Sequence, residues 1–212
     1  MDTGKPLADA LGEVIFVGMV TTRPSLLERV RDKDDDDSWR EFFAIYEPFL
    51  TSVARRFGLN DTQAAEAVAE VLVICVQKLP EFQYSRQRGR FRGWLKTVTQ
   101  RVVIGQWRRT QRGINEVPLR GEIEPSASDE VWDDWDRAHR EHIVSLVLSE
   151  VRDSVRGRTW DCFDLHILQR KPAPEVAEEL RLTVNAVYAN ASRVLQRVRT
   201  RCLELDEELS DD

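Results

Sequence analysis

Apolar residues return every three or four positions along most of this chain, and the period fails only at short stretches rich in proline, glycine or acid. Trp39, Phe42, Phe43, Tyr46, Leu50 and Val53 form one such stripe, which predicts an amphipathic helix with one face turned to a core. Ser38-Trp-Arg-Glu41 stands at its start in the form of a capping box, where the serine oxygen and the glutamate carboxylate would satisfy orphan amides of the first turn. A second stripe, Ala64, Val68, Val71, Leu72, Cys75, Val76 and Leu79, opens near Asn60 or Asp61 and stops at Pro80. A third, Phe91, Trp94, Leu95, Val98 and Val102, runs toward Trp107. After an aperiodic interval the period resumes with Ile143, Leu146, Val147 and Val151, and again with Trp160, Phe163, Leu165 and Leu168. A final pair, Pro174 to Leu180 and Val184 to about Leu203, is separated by the short turn Arg181-Leu182-Thr183. No strand-like alternation of useful length and no internal repeat is visible, so the expected class is all-α.

Charge divides the chain more sharply than its total suggests. A net charge of -6 and a pI near 5.3 exclude coating of nucleic acid or anionic membrane by bulk electrostatics. Yet from Phe82 to Asn115 there are nine cations, Arg86, Arg88, Arg90, Arg92, Lys96, Arg101, Arg108, Arg109 and Arg112, and no acid. The sign then reverses: Glu116, Glu122, Glu124, Asp129, Glu130, Asp133, Asp134 and Asp136 face only Arg120, among prolines and a glycine. That stretch reads as an acidic linker. The expected organisation is an N-terminal extension (1–24), a helical domain (25–112), the linker (113–137), a second helical domain (138–205) and an acidic tail (206–212). An apolar content of 42% with six tryptophans suffices for both cores.

Cys75, Cys162 and Cys202 lie far apart in apolar contexts, which suits buried thiols in the reducing cytoplasm better than a disulfide framework. The apolar run Val14 to Val20 is far short of the ~20 residues a membrane helix needs, so no membrane insertion is expected. No secretory leader is expected either, because Asp2 and Glu13 oppose the single Lys5 and no small-residue cleavage motif follows. Met19 offers a candidate alternative start to Met1.

The final pair has a helix-turn-helix pattern. Ala177 lets two helices cross closely, Leu180, Leu182 and Val187 form a wedge between them, and Thr183 caps the second helix. That helix would enter a major groove, with Asn185, Tyr188, Asn190 and Arg193 as base readers and Arg197 beside them. From Arg181 to Arg201 there are five arginines and no acid, as a phosphate-facing surface requires. In the basic middle region arginines alternate with Tyr84, Phe91, Trp94 and Trp107, a mixture suited to tracking a strand and stacking on exposed bases. Trp94 and Leu95 fall on the apolar stripe and belong to a core, whereas a merely solvated face would mix charges of both signs.

Gly89-Arg-Phe-Arg-Gly-Trp-Leu95 with Arg101 and Trp107-Arg-Arg109, preceded by Leu79-Pro-Glu-Phe82, resembles the second conserved domain of extracytoplasmic-function sigma factors of the sigma-70 family. Pro174-Glu-Val-Ala177, Ala186-Val-Tyr188 and Ser192-Arg-Val-Leu195 resemble their fourth domain. The two matches cover about residues 25 to 203, in order and with a linker between. The resemblance implies a subunit of RNA polymerase that recognises promoters, with core RNA polymerase and promoter DNA as partners, an anti-sigma factor as a possible further one, and no cofactor or catalytic activity. It implies that the helix from about Asn60 to Leu79, with Glu66 and Glu70, docks on the polymerase clamp. Arg86, Arg88, Arg90, Arg92, Lys96, Arg101, Arg108 and Arg109 would engage and help melt the −10 element, and the C-terminal helix would read the −35 element. The acidic linker would thread toward the RNA exit path. Two positions depart from the family pattern: Ala69 stands where glutamine is common, and Tyr188-Ala-Asn190 replaces a Lys-Ser-Arg-like set.

Two other classes compete. Asp34 to Asp37, or His139 and His142 with Cys162 and His166, would suggest a metalloenzyme. Four consecutive aspartates cannot converge on one ion, and the histidines lack a further ligand at zinc spacing, so no metal is expected. No phosphate-cradling glycine loop or nucleophile elbow is present. A helix-turn-helix regulator acting without polymerase would explain the C-terminal half and leave the basic, aromatic-laced middle without a role.

Overall fold

The computed structural model describes residues 26–81, 91–114 and 128–205. All regular structure among them is helical. The chain divides into two compact units, one of which is Leu26–His139 and the other of which contains Arg140–Leu205.

The first unit holds α1 (Leu26–Arg29), α2 (Asp36–Phe57), α3 (Asp61–Lys78) with a 3-10 turn at Leu79–Glu81, α4 (Phe91–Ile114), α5 (Ser128–Asp133) and the start of α6 (Trp135–Ser154). Most of the predicted stripe of α2 is its buried face: Trp39, Phe42, Tyr46, Leu50 and Val53 are all within the core, while Phe43 is half-buried. The start of that helix differs from the expected capping box. Asp35 is the cap, accepting from the Ser38 amide at 3.0 Å and from its hydroxyl at 2.6 Å. Tertiary pairing takes the two side chains a capping box would use, because Arg29 donates to the Ser38 hydroxyl at 3.0 Å and pairs with Glu41 at 2.6 Å. Gly58 ends α2 in the left-handed region at φ 108, where a side chain would be strained. On α3 the expected start is present as a reciprocal box between Asn60 and Gln63, both bonds 3.0 Å.

Those Ser38 hydrogen bonds, chiefly that of its hydroxyl, hold the Asp35 carboxyl below its ordinary value of 3.8. A carboxylate whose pKa is lowered by folding stabilises the fold above its unfolded pKa, and the benefit is lost as pH falls through the folded value. The thermal midpoint of the parent should therefore exceed that of Asp35→Asn at neutral pH, with the gap narrowing below the ordinary carboxylate value. Melting curves of both chains across an acid series check this.

The acidic linker expected over 113–137 is helical from Ser128 onward, and the segment from there to His139 belongs to the first unit. Val131, Trp132, Trp135 and His139 are buried. Trp132 meets Phe57 at 5.7 Å, Trp135 meets Phe49 edge-on at 4.8 Å, and His139 lies against Tyr46 at 5.8 Å and Phe49 at 5.2 Å. His139 is therefore a core histidine and not part of an ordinary solvated helix face. Two of the acids around these residues are paired with arginines of the same unit: Asp134 with Arg56 at 3.1 Å and Arg137 at 2.6 Å, Asp136 with Arg92 at 3.0 Å. Burial raises the Asp134 pKa, but bonds from Arg137 and Arg56 outweigh it and leave the carboxyl below its usual range.

The second unit contains the rest of α6, then α7 (Gly157–Phe163), a π-turn (Asp164–Leu168), α8 (Ala173–Leu180) and α9 (Val184–Leu205). Cys162, Ala173, Val176, Ala177 and Val187 form its centre, with Leu165, Leu180, Leu182 and Val184 packed around them. The wedge expected from Leu180, Leu182 and Val187 is thus in place, and Thr183 Oγ1 accepts from the Ala186 amide at 3.2 Å. Arg170 and Arg181 adopt left-handed backbone at φ 57 and φ 54, which costs an L residue roughly 1–2 kcal/mol. All three cysteines are free and buried, and burial pushes the Cys75 thiol up to about 12. Among the described residues no helix is long and apolar enough to cross a membrane.

Candidate nucleic-acid and polymerase interfaces

On α4 the apolar stripe is carried by Phe91, Leu95, Val102 and Val103, all buried, with Thr99 buried beside them and bonded to the Leu95 carbonyl. Leu95 is a core residue as expected, and Trp94 is half-buried against Phe91 at 5.8 Å. The stripe fixes which cations face outward. Arg101 and Arg109 are exposed, while Lys96 and Arg108 are half-buried. Arg101 and Arg108 are seven residues apart, about two turns, and so share a face. Arg92 does not join them: its side chain is 7% exposed and its Nε is bonded to Asp136 at 3.0 Å. Arg92 is thus engaged within its own unit, unlike the exposed Arg101. Arg86, Arg88 and Arg90 lie outside the described residues.

Glu66 and Glu70 project from the exposed side of α3, and both are met by α4. Gln106 donates to Glu66 at 2.6 Å, and Arg109 pairs with Glu70 at 3.2 Å. Gln63 donates to the Thr110 hydroxyl at 3.0 Å, completing a polar ladder between the two helices. Further along α3 the surface turns apolar. Val73 is 55% and Val76 39% exposed, and with Phe43, Leu72, Glu47 and Gln77 they line a cavity of about 340 Å³. The expectation that Val76 belongs to the core is overturned. Ala65, Ala69, Val73 and Val76 follow at four- and three-residue steps and form an exposed ridge of small and apolar side chains. Sequence reasoning passed over this ridge because Val76 reads as an extension of the core stripe; the offset of Val73 and Val76 from Ala64, Val68 and Val71 is the signal that separates them.

Residues 42–113, which span most of α2, all of α3 and most of α4, match the family model of Sigma-70 region 2. The likeness covers about a third of the chain. No curated protein and no solved structure matches the chain. A sigma-70 region 2 implies sigma-factor-like binding of core RNA polymerase and promoter melting.

In the second unit, α8, a three-residue turn and α9 follow the buried wedge. Val187, Ala191, Val194 and Val198 are the buried side of α9. Opposite them, Asn185, Ala189, Ser192 and Gln196 form an exposed line, with Tyr188 and Arg193 at its margins. Tyr188 is 50% exposed and touches His166 edge-on at 5.3 Å. Asn190 stands off this line. Its Nδ2 points to Cys162 Sγ at 3.7 Å and its Oδ1 accepts from Arg193 at 2.9 Å, so both ends of the amide are engaged within the unit. Arg197 is exposed on the flank, and Arg201 is tied to Glu150 at 3.0 Å. Ala189, Ser192 and Gln196 were not singled out by their chemistry; the periodicity counted from Asn185 is what identifies them.

Proposed function

We propose that the chain is a sigma factor of the extracytoplasmic-function type, which binds core RNA polymerase in the cytoplasm and directs it to promoters through two DNA-contacting units. The observation that carries this reading is the region 2 match in a unit whose α4 presents cations while its α3 presents a small and apolar ridge. Arg101 and Arg108, with Lys96, Arg109 and the neighbouring Arg86, Arg88 and Arg90, would serve the −10 element by phosphate contact and capture of unpaired bases. The α3 ridge and its flanking Glu66 and Glu70 would meet the polymerase clamp.

In the second unit Asn185, Tyr188 and Arg193, together with Ser192 and Gln196, would face the −35 element, since they occupy the side of α9 opposite its core. Asn190 and Arg197 would act from the flank. An anti-sigma factor is a further proposed partner. A regulator acting without polymerase is the competing reading, and the region 2 match weighs against it.

Run-off transcription with purified core enzyme on a promoter library tests the proposal. The double variant Arg101→Ala, Arg108→Ala should lower promoter opening about tenfold and reduce the salt slope of promoter binding by about two, one for each phosphate contact removed. A parent chain that neither binds core enzyme nor supports any transcript would sink the sigma-factor reading.

A further inference from the structure

Among the described residues two that are not glycine have positive φ, and both are arginine. They stand at the two ends of α8: Arg170 ends the segment that precedes it, and Arg181 closes its C-terminus. Glycine meets such a backbone without strain and is the common residue at this position of a helix end. The capping bonds at Arg181 come from its backbone amide, which reaches the carbonyls of Ala177 and Glu178, so the turn makes no use of the guanidinium.

Both side chains are exposed, and neither pairs with a carboxylate among the described residues. Other exposed arginines of the unit, Arg193 and Arg197, also lack a carboxylate partner among the described residues, so the positive φ is what sets Arg170 and Arg181 apart, although some cations of the unit are paired. Lys171 is held by Glu179 at 2.9 Å, and Arg201 by Glu150 and Glu204 at 3.0 and 3.3 Å. A strained position that keeps a large charged side chain with no internal partner points to a use outside the protein.

We propose that Arg170 and Arg181 are a pair of DNA-phosphate clamps that bracket α8 and fix the register of α9 in the groove. This rests on the reading of the second unit as a duplex-binding module. In helix-turn-helix docking the first helix of the pair crosses the DNA backbone while the second enters the major groove. Arg181 directly follows Leu180 and Arg170 lies three residues before Ala173, so the two cations flank a helix about 12 Å long that would lie along the backbone. Guanidinium groups bind phosphate oxygens in a bidentate fork. Such contacts set position and carry no sequence information, so their loss should weaken all duplexes alike.

The test uses the full chain, alone and assembled with core RNA polymerase, binding a labelled random-sequence duplex across a salt series. Arg170→Gly and Arg181→Gly should each lower the salt slope by about one, while the thermal midpoint holds or rises because glycine relieves the backbone. Arg170→Lys and Arg181→Lys should keep the slope. Parental binding with an unchanged slope in both glycine variants would overturn the clamp. Weaker binding accompanied by a lower thermal midpoint would assign the two arginines to folding and overturn it too. If the parent bound no duplex in either form, the duplex-binding reading would fall first, and the clamp with it.

Discussion

Trp135→Ala should destabilise the first unit by about 3–5 kcal/mol, the cost of truncating a fully buried large aromatic. The indole is 0% exposed, meets Phe49 at 4.8 Å and stacks obliquely with Trp132 at 6.1 Å, so its removal opens a void that the helices on either side cannot close without moving. Set against the ~5–15 kcal/mol that holds a domain together, this is a large fraction, and the variant should be close to unfolding at physiological temperature. Denaturant titration followed by far-ultraviolet circular dichroism reads the effect without relying on the fluorophore being removed. Trp135→Phe should recover a substantial part. A solvated tether at this point would tolerate the alanine within about 0.5 kcal/mol, and that result would contradict the packing of α5 and α6 onto α2.

Val73→Asp with Val76→Asp should do the opposite, sparing the fold and removing the partner. Both side chains are partly in water, at 55% and 39% exposure, so the cost to stability should stay near or below about 1 kcal/mol. If the α3 ridge is where polymerase docks, two carboxylates would be buried there without counter-charges. Losing one hot spot of about 2 kcal/mol already weakens association about 30-fold, and the double variant should exceed that. Titration of labelled chain with core enzyme measures it, and melting curves confirm the fold. Unchanged affinity would move the docking surface elsewhere on the unit.

Local rules in the sequence anticipated much of this molecule and missed in identifiable ways. Most of the α2 and α3 stripes and the Asn60 start are local consequences of three- and four-residue spacing and of a cap, and they stand as expected, while Val76 does not. Ser38 and Glu41 have the spacing of a capping box, but Arg29 arrives from another helix and takes both. Arg92 looked like any other cation in an acid-free run, although a carboxylate 44 positions later, Asp136, draws it inside. Asn190 carries the right chemistry for a base reader, yet its amide is occupied by Cys162 and Arg193.

By itself the sequence determined the helical class, the segregation of charge, the wedge under α9 and the resemblance that points to transcription, because each follows from residue types at short, regular spacing. Only the tertiary structure decided which cations remain outside, that the acidic segment from Ser128 is folded onto α2, and that Val73 and Val76 face water. Those outcomes depend on groups far apart in the chain: a carboxylate flanking a tryptophan is either solvated or paired according to what the fold brings against it, and no local spacing contains that information.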